Sequence, residues 1–268
     1  MSDMNTPRPP DAPPAAAMTA SDAAATTTAT MSTPETLSGI FFEPGRTFEA
    51  LRQRPRFLIA GLLLIIVFMA YYMTFVSRIG AENVARAQIM ARSPDAPPEQ
   101  IEQALRMQSN PIVQAITYVS FPIVFAVIFA AGAGLYLLGA MAMAKGMSYK
   151  QALAVWVYSS LPPLVIVSLI NILLLFLKSK DDIDPAAVNQ GLARANLGLL
   201  VNAKEHPVMA TALGSVDLFQ FYGLFLAALG LRIVARLSSG ASWGIVLAIW
   251  LVGVIARLAL SAAFGQAY

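Results

Sequence analysis

The sequence predicts an all-α, polytopic membrane protein: five transmembrane helices in a bundle, with an interfacial amphipathic helix before them. Three observations carry this. Five apolar runs, divided by short polar breaks, fill the chain from Phe57 almost to its end. A bilayer core about 30 Å thick needs about 20 apolar residues in a helix to cross it, and each run meets that length. Charged residues make up only 12% of the chain, against about 25% in soluble domains, which is too few to build a water-facing surface.

Residues 1–33 are rich in Ala, Thr, Pro and Ser and contain no aromatic side chain. Such a segment cannot bury enough apolar surface to offset its chain entropy, so it is expected to be a disordered cytoplasmic tail. It also lacks the basic and apolar regions of a secretory signal. Residues 34–268 form the predicted membrane domain. In it Leu37, Ile40, Phe41, Phe42, Phe48 and Leu51 recur at roughly helical spacing, accompanied by arginines. A basic amphipathic segment of this kind suits the headgroup layer, and Pro44 is placed to open a helix. The five spans follow at 57–77, 117–143, 151–176, 212–232 and 243–264. Pro122 in the second, and Pro162 and Pro163 in the third, are expected to kink their helices, because neighbouring helices can re-satisfy the carbonyls they free. Two longer loops carry helical patterns of their own, Glu99–Met107 and Ala186–Ala203, expected as short helices against the membrane face.

Charge orients the bundle. The two long loops balance eight basic against eight acidic residues. The opposite face concentrates Arg46, Arg52, Arg54 and Arg56 before the first span, Lys145 and Lys150 after the second, and Arg232 and Arg236 after the fourth. Short loops with unopposed Lys and Arg mark the cytoplasmic side, which puts the N-terminus in the cytoplasm and the C-terminus outside. The net charge of +3 is therefore a topology signal and not a nucleic-acid footprint. With no cysteine and one histidine, thiolate sites and His-based metal or catalytic centres are not expected, and no cofactor is predicted. The absence of cysteine and the Ala and Arg usage fit a bacterial inner membrane.

Three stretches resemble the Yip-domain family of integral membrane proteins, in its bacterial branch, over residues 35 to 264: Leu37-Ser-Gly-Ile-Phe-Phe-Glu-Pro-Gly-Arg-Thr-Phe with Arg54-Pro55; Lys145-Gly-Met-Ser-Tyr-Lys-Gln-Ala-Leu running on to Tyr158-Ser-Ser-Leu-Pro162; and Val216-Asp-Leu-Phe219 leading to Leu229-Gly-Leu231. The resemblance implies a five-span, non-enzymatic membrane protein. Eukaryotic members act in vesicle trafficking and membrane shaping, and some bind Rab GTPases through an Asp-Leu-Tyr-Gly-Pro element before the first span. This chain lacks that element, so Rab binding is not carried over.

Asp217 and Arg257 are the charged residues of most interest. They lie about 9 Å and about 10 Å from the outer ends of spans four and five, at 1.5 Å per residue. Adjacent antiparallel spans would bring them to one depth, and an unpaired charge there costs about 2.5–3.5 kcal/mol on insertion scales. An ion pair or water-bridged contact is expected, acting as a register latch or, alternatively, as a proton or ion relay. Gly240-Ala-Ser242-Trp-Gly244 matches the serine-hydrolase string, but that motif needs a strand–turn–helix elbow and a nearby His, and His206 is expected on the other face. Small residues at Ala130 and Gly134, and at Gly223 and Ala227, have the spacing that lets helices approach closely. The chain is read as a scaffold or adaptor that meets membrane lipids through its basic belt and binds protein partners or a second copy. The alternative is a small transporter or channel component using Asp217 and Arg257.

Overall fold

The computed structural model describes residues 31–265 except Pro94, Asn189, Arg194, Lys204 and the side chain of Arg92. The chain divides into Met1–Met31 and Ser32–Tyr268, and the architecture below is that of the second unit. The expected tail therefore lies, up to residue 30, outside the described residues.

The described residues are helical, with no strand and one isolated bridge, Asn196 to Asp217. Ten α-helices follow in order: α1 Thr33–Phe42, α2 Pro44–Gln53, α3 Leu58–Ile79, α4 Ala81–Arg92, α5 Pro98–Gln108, α6 Pro111–Ala142, α7 Tyr149–Leu177, α8 Pro207–Gly214, α9 Leu218–Val234 and α10 Ser239–Phe264. Four of them, α3, α6, α7 and α10, are long and apolar enough to cross a bilayer. Only 22–28% of their most apolar windows is buried within the protein. The large remainder is apolar surface, of the kind lipid covers and water does not.

The fourth expected span is broken. Residues 212–232 do not form one helix: α8 ends at Gly214 and α9 begins at Leu218. Asp217 is extended, and its carboxylate accepts the Gln220 backbone N–H at 3.0 Å as an N-cap. Residues 195–197 pair with the break, Leu218 N donating to Ala195 O at 3.1 Å. What remains, α9, has 17 residues, about 26 Å at 1.5 Å per residue. The helix expected over Ala186–Ala203 is also replaced, by 3-10 turns at Pro185–Val188 and Leu197–Leu200 with irregular chain between. The Glu99–Met107 helix is present as α5, and α4 adds a helix that the sequence reading left unassigned.

Helix α7 is the centre, packing on α3, α6 and α9. It runs parallel to α3, and hydrogen bonds tie its start to α2 and its finish to α3. Near its start the Gln151 side chain donates to Arg52 O at 2.7 Å. At its finish Arg78 Nη2 donates to Lys178 O at 3.0 Å, and the Arg78 guanidinium lies 5.6 Å from the centroid of the Phe176 ring. We call the first end N-proximal and the second distal. The main core gathers Phe48, Leu64, Tyr136, Val155, Tyr158, Leu161 and Leu231, and a smaller distal cluster joins Tyr71, Phe75, Val84, Leu175 and Val188.

Glycines set how closely the helices approach. A Cβ on Gly132 of α6 would lie 2.2 Å from Trp156 of α7, and one on Gly139 would lie 2.6 Å from Ile245 of α10. The Ala130 and Gly134 pair is not used this way: Ala130 is exposed and Gly134 has open space around it. Gly223 does bring α9 against α7. Its Cβ would sit 3.6 Å from Ser159 O, the carbonyl that Pro163 leaves without its i+4 donor. Pro122, Pro162 and Pro163 all lie inside continuous helices.

Candidate functional site

The N-proximal end collects the helix termini that carry the basic residues. Helices α1 and α2 form a hairpin there. Ser32 and Glu35 make a reciprocal capping box that starts α1, with Ser32 N donating to Glu35 Oε2 at 2.6 Å. Those Ser32 contacts, the backbone one first, hold the Glu35 carboxyl below its ordinary pKa. The chain turns at Glu43, and Pro44 opens α2 without losing a hydrogen bond.

The apolar face of this hairpin meets protein, not headgroups. Ile40, Phe48 and Leu51 are fully buried in the main core. A Cβ on Gly230 of α9 would fall 2.8 Å from Val155 and 2.9 Å from Phe48, so the missing side chain makes the room that the Phe48 ring fills. Thr36 Oγ1 donates to Thr33 O and lies 3.1 Å from the Tyr158 hydroxyl. Since Thr36 spends its proton locally, Tyr158 is the donor of the buried bond. The interfacial helix expected from amphipathicity is thus a docked two-helix hairpin. Phe42 alone among its aromatic residues is largely exposed, at 84%.

Around this hairpin lie the eight basic residues. Arg46, Arg54, Lys145, Lys150, Arg232 and Arg236 are exposed, and Arg52 and Arg56 are half-buried. Arg46 pairs with Glu43 and Arg52 with Glu49. Arg56 donates to Thr33 Oγ1 at 3.3 Å. The other five, Arg54, Lys145, Lys150, Arg232 and Arg236, form no ion pair among the described residues. The two tight turns that bear Lys145 and Arg236, with Lys150 and Arg232 in the flanking helix ends, share a design. Each places a left-handed residue two positions past its helix end, Ala144 after α6 and Arg236 after α9. Each then starts the next helix with a serine N-cap, Ser148 or Ser238.

Asp217 lies at the N-cap of α9 and Arg257 on α10. Asp217 and Arg257 form no ion pair with one another. The expectation assumed a continuous fourth span, whereas the break recruits Asp217 as a cap, with Asn196 Nδ2 at 3.5 Å from its other oxygen. Asn171 is a polar residue that the sequence reading passed over. It is buried in α7, six residues before the helix ends, and its Oδ1 accepts both Leu192 N and Ala193 N at 2.7 Å. Gly191, at φ +80, comes so close that a Cβ there would touch the Asn171 amide at 2.9 Å. Irregular backbone at this depth survives only where protein satisfies it, and Asn171 does so. Its signal was visible: one amide inside the apolar run Val165–Leu177.

Ser242 of the Gly-x-Ser-x-Gly string is buried in the first turn of α10, its hydroxyl donating to Ser238 O at 3.0 Å. No strand leads into it, and it has no elbow geometry. No group of His, Asp and Glu among the described residues could hold a metal ion.

The family model described as the Yip1 domain matches residues 38–260. No curated protein and no solved structure matches.

Proposed function

The chain belongs to the Yip1-domain family and is an integral membrane protein, and from that premise we propose that it is a non-enzymatic scaffold or adaptor in membrane organisation, working from its N-proximal end. The observation that supports this is the cluster of Arg54, Lys145, Lys150, Arg232 and Arg236, none in an ion pair among the described residues, around a docked hairpin. Each basic residue near an anionic leaflet contributes about 1 kcal/mol of attraction. Five of them, fixed by helix ends and tight turns, make a surface suited to anionic lipid headgroups or to the acidic face of a protein partner. In this reading the N-proximal end faces the cytoplasm of a bacterial cell and the bundle sits in its inner membrane. The hairpin supplies the stiffness an adaptor needs.

The test is lipid selectivity in reconstituted bilayers. Spin-labelled phosphatidylglycerol and phosphatidylcholine report which lipid is motionally restricted at the protein surface. The wild-type chain is expected to prefer phosphatidylglycerol. A variant with all five residues changed to Gln should lose about half of that preference or more, at about 1 kcal/mol per charge. Equal selectivity in the two proteins would refute the proposal.

A further inference from the structure

The apolar surface at the distal end does not stop with the long spans. Ahead of α9 lies a small unit of two packed legs, the 3-10 turn Leu197–Leu200 and helix α8. Gly198 lets the legs touch backbone to backbone: a Cβ there would lie 3.2 Å from Ala210 O and 3.2 Å from the Gly214 Cα. With Gly198 turned inward, its neighbours Leu197, Leu199 and Leu200 are left outside, Leu199 at 59% exposure and Leu200 at 78%. Val208 and Met209 of α8, and Val216 and Leu218 at the break, add four more exposed apolar side chains.

The polar groups of this unit are turned onto one another. Leu218 N donates to Ala195 O at 3.1 Å and Leu197 N to Val216 O at 3.4 Å, so the first leg and the break satisfy each other. Gly198 N donates to Asn196 Oδ1 at 3.1 Å, and Val201 N to Gly198 O at 3.3 Å. The hydroxyls fold back as well: Thr211 Oγ1 donates to Pro207 O and Ser215 Oγ to Thr211 O, both at 2.9 Å. Irregular backbone persists beside lipid only when the protein satisfies its polar groups in this way. Neither leg carries a charge, from Ala195 to Val201 or from Pro207 to Val216. Charge gathers instead in the turn between them, residues 202–206, where Asn202 Nδ2 donates to Glu205 Oε1 at 2.7 Å. From that turn α8 leads inward toward the break, about 12 Å at 1.5 Å per residue.

We propose that the 3-10 turn and α8 form a lipid anchor set into the headgroup–acyl boundary of the distal leaflet, with Leu199, Leu200 and Met209 against acyl chains and residues 202–206 at headgroup level. A polar tip above uncharged, apolar flanks is the profile that this boundary selects. The patch also runs on into surface already given to lipid, the exposed stripe Leu218, Phe221 and Phe225 on one face of α9. A protein partner would find no charge on either leg to recognise. Such an anchor holds α8 in the leaflet although no continuous helix ties it to α9. The proposal rests on the immersion of the bundle in a bilayer and not on the basic end.

The test uses the full chain, which lacks cysteine, with single changes Leu200→Cys, Met209→Cys, Ile123→Cys or Gln103→Cys. Each protein is labelled with bimane and reconstituted in phosphatidylcholine vesicles with or without bromine on the acyl chains. All four side chains are exposed, so no change disturbs the packed core. Ile123 on α6 is the lipid-facing reference and Gln103 on α5 the polar one. The expected result at Leu200 and Met209 is blue-shifted emission, quenched by brominated lipid at least about half as strongly as at Ile123, because a boundary element meets the acyl chains directly; Gln103 should be red-shifted and unquenched. Red, unquenched emission at Leu200 and Met209 with Ile123 still quenched would put the unit in water. Blue emission without quenching would put a protein surface, such as a second copy, over it. Either result overturns the proposal, and loss of quenching at Ile123 as well would refute the immersion of the bundle itself.

Discussion

Replacing Gly132 by alanine tests the packing at the heart of the bundle. The added Cβ would lie 2.2–2.4 Å from three atoms of the Trp156 indole, closer than any real contact. The indole cannot swing away freely, because the tilted Tyr136 ring packs against it with centroids 4.9 Å apart. Overpacking of this kind costs about 1–3 kcal/mol, and a rigid ring at such distances puts the cost near about 3 kcal/mol. Alanine offsets about 1 kcal/mol of that through its better helix propensity. The net loss is about 2 kcal/mol, a fall in Tm of about 4–8 °C at about 2–4 °C per kcal/mol for a chain of this size. Thermal unfolding in detergent, followed by tryptophan fluorescence, reads it. Gly134→Ala is the matched control: it lies two residues along the same helix with open space around it, so only the propensity gain applies and Tm should rise slightly. Trp156→Phe combined with Gly132→Ala should recover part of the loss. A Gly132→Ala protein as stable as the wild type would refute the close approach of α6 and α7.

Asn171→Leu removes the acceptor of two part-buried N–H groups, each costing about 1–3 kcal/mol when left unsatisfied; hydrogen exchange at Leu192 and Ala193 should accelerate by at least about tenfold, a 1.4 kcal/mol change, and unchanged protection would contradict the assignment. The Glu35 cap makes α1 sensitive to acid. Its folded pKa lies below the ordinary value because Ser32 binds the carboxylate, so its contribution is complete above the ordinary carboxylate range and is lost as pH falls through the lowered folded value. Exchange of the Ser32 amide should therefore rise over that acidic window in the wild type and show no such step in Glu35→Ala.

How far the sequence could be read depended on which physical cue each element carried. Helices α3, α6, α7 and α10 announce themselves through length and apolarity, because the bilayer imposes both, and their observed bounds fall near the expected ones. The fourth span was misread because Ala212-Leu213-Gly214 and Leu218-Phe219 are all apolar in sum. A hydropathy window cannot see that Asp217 serves as a cap and that residues 195–197 pair across the break. No direct Asp217–Arg257 ion pair forms; the depth argument assumed one unbroken helix. The hairpin of α1 and α2 was recognised as amphipathic, yet amphipathicity does not say whether the apolar face meets lipid or protein. That was decided by Gly230, whose missing side chain leaves room for Phe48, about 180 positions away in the chain. The basic end was legible because helix ends at one face follow from span order alone, whereas the packing of Leu197–Leu200 on α8 was not, because it depends on how residues 195–197 pair with the break.

The immersion of the bundle in hydrocarbon underlies every other statement about this protein, and the chain's lack of cysteine makes it directly measurable. Single cysteines at Ile123, Leu173 and Val252, all outward-facing on the long helices, can carry a spin label in reconstituted bilayers, with Gln103 on α5 as the exposed polar reference. The three span positions should be highly accessible to dissolved oxygen and shielded from a water-soluble nickel chelate, and Gln103 the reverse. Nickel accessibility at Ile123, Leu173 and Val252 equal to that at Gln103 would place those faces in water and contradict the account.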